Sequence, residues 1–142
     1  MKNQYNGFNI LVEIVISGKL DLFAKFRHLA LMLIFKIFRK DEWLDFKALG
    51  KTEGAPIDVA DGFIHFSKAG QVQETVEKHF KDEKDLILVS CNVGDLEPDL
   101  KWEVSRGGDL FPHLYRKLLL KDIISQIEIP KIDGVYKFPD IF

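Results

Sequence analysis

The run Leu86-Ile87-Leu88-Val89-Ser90-Cys91-Asn92-Val93 constrains this chain more than any other stretch. Its first half is apolar at every position, so alternation cannot divide a wet face from a dry one. Such a strand is covered on both faces and sits centrally in a sheet. The rest of the chain has to supply its neighbours and its two coverings.

Leu33-Ile34-Phe35-Lys36-Ile37-Phe38 reads as the first strand. Residues 41–50 then read as a helix, with Asp41 as cap, acids in the first turn and Gly50 as stop. Trp43, Phe46 and Leu49, with Leu44 and Ala48, give it one broad apolar side. Residues 51–61 hold Gly54 and Pro56 and read as a loop. Phe63 to Ser67 is a short strand with Phe63, His65 and Ser67 on one face and Ile64 and Phe66 on the other. Ser67 is placed to cap a helix over 69–81, whose stripe is Ala69, Val72, Val76 and Phe80, with surface pairs Glu74–Lys78 and Glu77–Lys81.

Beyond the central strand, residues 94–99 turn the chain and 101–105 are extended, with Glu103 on the face of Lys101 and Ser105 and Trp102 on the other. His113 to Leu120 returns as strand, 121–124 make a helical turn, and 126–129 and 135–138 form a closing pair around Asp133-Gly134. Two early helices followed by bunched strands predict an α+β fold with a mixed, mostly antiparallel sheet.

The length of 142 residues fits one domain with a core of its own. Residues 1–31 carry four cations against two acids, a net of +2, and the remaining sixteen against twenty give −4. The first 31 residues keep no steady apolar period. They are expected to be an extension, either upstream of a natural start at Met32 or an arm that packs or dimerises; residues 32–142 form the domain. The overall charge of −2 argues against a general nucleic-acid binder. A single cysteine, Cys91, suits a reducing, cytoplasmic setting. No apolar run approaches a membrane span, and no small-residue cleavage site follows the apolar segment near the start.

The chemically mixed stretch is Lys101 to Arg116. It brings Trp102, Glu103, Arg106, Gly107, Gly108, Phe111, Pro112, His113 and Tyr115 into one short run, and it reads as the wall of a site. Arg106 with Gly107-Gly108 offers a guanidinium fork and close backbone approach to a phosphate. Glu103 either pairs with Arg106 or Arg116 or acts on a ligand. His65 is either a hydrogen-bonded core histidine or a site residue with Ser67. A Cys91–His65 nucleophile pair would suffer from the apolar setting of the thiol. The histidines and Cys91 have no metal-ligand spacing, so no metal is expected.

The motif Asp61-Gly62-Phe63-Ile64-His65-Phe66-Ser67, the helix ending His79-Phe80, and the run from Trp102 to Tyr115 resemble the small, mostly bacterial family of unknown function 952. The resemblance covers residues 33–139. It implies a fold like that of ADP-ribosyltransferases, which split NAD at the nicotinamide–ribose bond. It also implies that His65 and Ser67 bind a ribose hydroxyl and that Glu103 steadies the positive charge developing on the nicotinamide ribose. Tyr115 or Phe111 would then be the aromatic that stacks on nicotinamide.

On this reading the catalytic set is His65, Glu103 and Tyr115, and the binding set is Ser67, Arg106, Gly107, Gly108, Phe111 and His113. NAD would be a substrate and not a resident cofactor. The alternative is a non-catalytic nucleotide-binding or protein-interaction module on the same scaffold. A third reading, an RNA 2′-phosphotransferase-like enzyme, sits poorly with the charge of −4 over residues 32–142.

Overall fold

A computed structural model describes residues 32–140, so the expected extension over 1–31 lies outside the described residues. In chain order the elements are Leu33–Arg39 (β1), Lys40–Leu49 (α1), Lys51–Thr52 (β2), Pro56–Asp61 (α2), Ile64–His65 (β3) and Val72–His79 (α3), the last entered through a 3-10 turn at Ala69–Gln71. There follow Asp85–Asn92 (β4), Val93–Leu96 (α4), Leu100–Val104 (β5), Leu110–Leu114 (β6), Leu118–Leu119 (β7), Ile123–Ile132 (β8) and Val135–Tyr136 (β9).

The apolar run takes the central place expected of it. β4 lies between β1 and β8, antiparallel to both, and β9 extends the far edge. Leu86 through Cys91 are all buried. Successive side chains feed two separate cores. Ile87, Val89 and Cys91 join Trp43 and Phe46 of α1, whereas Leu86 and Leu88 join Val72 and Val76 of α3. β1 divides in the same way, with Ile34 and Phe38 in the first core and Phe35 and Ile37 in the second.

A second sheet has the order β3-β6-β5. It joins the first through one pair of residues, Phe35 and Ser67, whose backbones exchange hydrogen bonds of 2.9 and 2.8 Å. The result is an α+β fold, mostly antiparallel, with a curled sheet and few helices. The Asp133-Gly134 turn between β8 and β9 is present, both residues having positive φ (51° and 78°), the conformation a tight hairpin demands.

Several local expectations are corrected. Residues 51–61 are not a plain loop but contain α2. Pro56 opens that helix, the Asp58 side chain accepts the Ala55 N–H at 2.7 Å, and Gly62 closes it at φ 82°. On α1 only Trp43 and Phe46 are buried; Leu44 and Leu49 face solvent, because the helix meets the sheet along a narrow stripe. Its first turn is tied by the Glu42 carboxylate, which accepts the Arg39 N–H, and not by Asp41.

The helix expected over 69–81 is split, leaving Ala69 exposed, and Ser67 caps nothing: its hydroxyl meets Thr75 at 3.3 Å. Glu74 pairs with Lys78 at 2.6 Å, but Glu77 takes its hydrogen bond from Gln73. The strand expected over 113–120 runs instead from Leu110 to Leu114, and the segment after β4 that was read as turn opens with α4.

Gly54 shows how tightly α2 is seated. Its φ is +91°, and an added Cβ would lie 2.7 Å from the Asp58 Cβ, whereas Gly62, also at positive φ, has open space. Gly62→Ala should therefore cost about 1 kcal/mol of backbone strain. Gly54→Ala should cost about 3 kcal/mol or more, because it also dislodges a buried charge. Urea midpoints of the two variants make the comparison; equal losses would mean that Asp58 moves aside freely.

Candidate functional site

The seam between the two sheets opens into a cleft of about 710 Å³. β1, α2, β3, α3, β6 and the turn before β6 form its walls. Its floor is organised by a residue the sequence reading passed over. Asp58 of α2 is 1% exposed, yet each oxygen is fully engaged. Oδ2 accepts from Lys36 Nζ at 2.7 Å and from the Ala55 N–H at 2.7 Å. Oδ1 accepts the His65 N–H at 3.0 Å and lies 2.5 Å from His65 Nδ1. Burial alone would push this carboxyl up. The His65 hydrogen bond and the Lys36 ammonium outweigh it and hold the group down at about 2.

His65 is thus oriented by a buried carboxylate through Nδ1. Its Nε2 lies 3.0 Å from Asp61 Oδ2, at the other end of α2, and the ring is about one-third exposed. The alternation read from sequence holds for the core face, where Ile64 and Phe66 are buried; His65 and Ser67 line the cleft, Phe66 also reaches it, and Phe63, read on the face of His65, stacks on His113 outside it. Ser67 is buried, with its hydroxyl toward Thr75. Arg106 lines the cleft too. Its Nη2 donates to Thr75 Oγ1 at 3.1 Å, and its guanidinium lies 5.0 Å from the Phe111 ring centre. Its ion pair with Glu74 is long, at 3.7 Å. Burial, then the Arg106 charge, lower the pKa of the nearby His79.

The second group of expected residues sits beside this cleft. His113 on β6 stands opposite His65 in the strand register, and their ring centres are 5.2 Å apart. Phe63 stacks on His113 at 4.2 Å. His113 lines the cleft, but Glu103 and Tyr115 do not. Glu103 shares the sheet face of His113, as the pairing of β5 with β6 requires. It pairs with neither Arg106 nor Arg116. Its Oε1 accepts the Tyr115 hydroxyl at 2.5 Å and lies 3.1 Å from His113 Nδ1. Arg116 turns instead to Asp122 and Asp99.

Gly107 and Gly108 are exposed at φ 68° and 82°; they shape the turn that delivers Arg106 and lie outside the cleft. The Cys91–His65 pair does not form. Cys91, on β4, is buried in the core, where desolvation pushes its thiol up to about 12. Among the described residues no three His, Cys, Asp or Glu side chains converge on a metal position.

A signal for Asp58 was present in the sequence. Pro56 two residues before an acid, and Gly62 after Asp61, are helix start and stop marks. A helix there puts Asp58 and Asp61 on one side, both within reach of the histidine that follows.

Comparison with known proteins places the chain. The profile described as "Protein of unknown function (DUF952)" matches residues 37–126. The chain belongs to this family. A crystal structure of the protein CC0527 from Caulobacter crescentus is 45% identical, with a TM-score of 0.70, covering 74% of this chain and 93% of that one. The solution structure of CC0527 is 43% identical, with a TM-score of 0.66, over 73% of this chain and 90% of that one. No curated protein matches the chain. No helix among the described residues of this DUF952 protein is long and apolar enough to cross a membrane.

The depressed Asp58 carboxyl makes stability depend on acid. Its folded pKa lies below the ordinary 3.8, so its contribution is complete above about pH 4 and is lost as pH falls through about 2. The shift corresponds to about 2 kcal/mol. Urea unfolding from neutral pH down to that range should show this loss, and Asp58→Asn should remove it. At neutral pH Asp58→Asn should cost about 3–5 kcal/mol by leaving Lys36 buried without its anion, and adding Lys36→Met should recover part of that.

Proposed function

We propose that the cleft binds a small phosphate-bearing nucleotide, with NAD or an ADP-ribosyl compound as the candidate, and that His65 transfers a proton on it. The observation that carries this reading is the orientation of His65. One ring nitrogen is held by a fully buried carboxylate, and the other emerges in a cleft that also contains Arg106. The buried carboxylate fixes the ring through Nδ1, and a ligand that exchanges a proton with Nε2 takes the place of the exposed Asp61 carboxylate there. Arg106, backed by the Thr75 hydroxyl and the face of Phe111, supplies a fork for phosphate oxygens. The apolar walls, including Phe35 and Phe80, suit a base or ring.

The kinship with ADP-ribosyltransferases belongs to this proposal, and so does the chemistry it brings. Cleavage of the nicotinamide–ribose bond builds positive charge on the ribose, which a nearby carboxylate stabilises. Asp61 lines the cleft beside His65, whereas Glu103 lies behind His113, so Asp61 is the better placed carboxylate for that task. Phe111 is the better placed aromatic for stacking, since Tyr115 is hydrogen-bonded to Glu103 outside the cleft. Cys91 is too deeply buried to be a nucleophile, which leaves the ligand itself or water as the partner of His65.

Calorimetry with NAD and ADP-ribose tests the reading. Binding is expected, and Arg106→Ala should weaken it roughly 10- to 100-fold through loss of a charge-assisted contact. His65→Ala should abolish turnover of NAD while leaving most of the affinity. No binding of either compound at millimolar concentration would remove the proposal.

A further inference from the structure

We propose that Tyr115 and Glu103 are positioning residues that fix His113 with its proton on Nδ1, leaving Nε2 as a hydrogen-bond acceptor for a hydroxyl or amide N–H of the ligand. The proposal rests on the cleft being a ligand site, but its first half concerns the free protein. His113 is 4% exposed, and its Nε2 is the buried side-chain nitrogen or oxygen without a hydrogen-bond partner among the described residues. Buried polar atoms in folded proteins are nearly always paired, so an orphan on a cleft wall points to a group that arrives from outside.

The other nitrogen of the ring shows what kind of group that is. Nδ1 faces Glu103 Oε1 at 3.1 Å, and the same oxygen accepts the Tyr115 hydroxyl at 2.5 Å. Tyr115 and then His113 hold the Glu103 carboxyl below its usual range, and Glu103 in turn pushes Tyr115 up, so the phenol keeps its proton and the carboxylate stays an acceptor. A carboxylate can only accept, so Nδ1 must donate to it. A neutral imidazole has one donor, which leaves Nε2 with a lone pair.

The ring cannot find an alternative partner nearby. Phe63 stacks on it at 4.2 Å, and both nitrogens of its neighbour His65 face carboxylates, Asp58 and Asp61. The complement is a donor on the ligand, such as a sugar hydroxyl or a carboxamide. Glu103 and Tyr115 therefore act through His113 and do not touch the ligand.

The test is long-range proton–nitrogen NMR of the 15N-labelled full chain at neutral pH. His113 should show a protonated Nδ1 and a bare Nε2. In Glu103→Leu the acceptor facing Nδ1 is removed, and the preference for the Nδ1–H form should be lost, whereas a ring set only by its packing would keep it. A wild-type ring protonated on Nε2, or no change in Glu103→Leu, overturns the assignment. Ligand contact is read by adding ADP-ribose and, separately, ribose 5-phosphate, and following the Nε2 signal, which should shift on hydrogen bonding. A response to ribose 5-phosphate with none to ADP-ribose removes the nucleotide reading and leaves this one. No response to either overturns it.

Discussion

A single buried carboxylate ties together three of the elements that wall the cleft, β1, α2 and β3. Asp58 reaches Lys36 on β1, the backbone of its own helix start at Ala55, and both the backbone and the ring of His65. Each of those contacts is charge-assisted, and each would be costly to break in a setting without water. Placing an ammonium inside β1 is tolerable only because this anion meets it. Seating a six-residue helix on the sheet is possible only because the same anion caps its first turn. Orientation of the imidazole comes from the same carboxylate that pairs with the buried lysine of β1, so site and scaffold share one group.

The two sheets explain why there is a hollow to line. β1 gives its full length to β4 but only Phe35 to the second sheet. On either side of that bridge the sheets diverge, and side chains of α2 and α3 flank the gap without filling it. The central β4 sits away from the opening, its faces closed by two dry cores. The apolar packing is therefore concentrated behind the cleft, and polar groups line its floor and walls, a common division of labour between scaffold and site.

Much of this was legible in the residues. The apolar run at Leu86 announced the central strand, the alternation at Phe63 to Ser67 placed His65 and Ser67 on one face, and Asp133-Gly134 marked its hairpin. What stayed hidden depended on partners distant along the chain. Glu103 looked like an ion-pairing or catalytic carboxylate because its neighbours in sequence are Arg106 and Arg116. Its actual partners, His113 and Tyr115, come from the adjoining strand register and the residue just past it. Asp58 was concealed by a loop-like composition, since Gly54 and Pro56 punctuate a short helix as readily as a loop. Lys36, in an apolar strand, is the second trace of it in the sequence: a lysine there requires an anion from elsewhere.

The distribution of charge along the cleft narrows what it can hold. Lys36 is paired with Asp58, and Arg39 is held by Glu42 and by Glu83 at 2.6 Å. Neither offers its charge to a ligand without leaving a carboxylate exposed or buried alone. Arg106 differs, because its acidic neighbour Glu74 is solvent-exposed, lies 3.7 Å away and is already paired with Lys78 at 2.6 Å. A ligand anion arriving at Arg106 displaces little and strands nothing. Asp61, at the His65 end, is half-exposed and repels a second anion there. A ligand of the proposed kind would carry its negative charge toward Arg106 and a neutral or developing cationic part toward His65 and Asp61, a polarity that a sugar phosphate has and a free polyanion lacks.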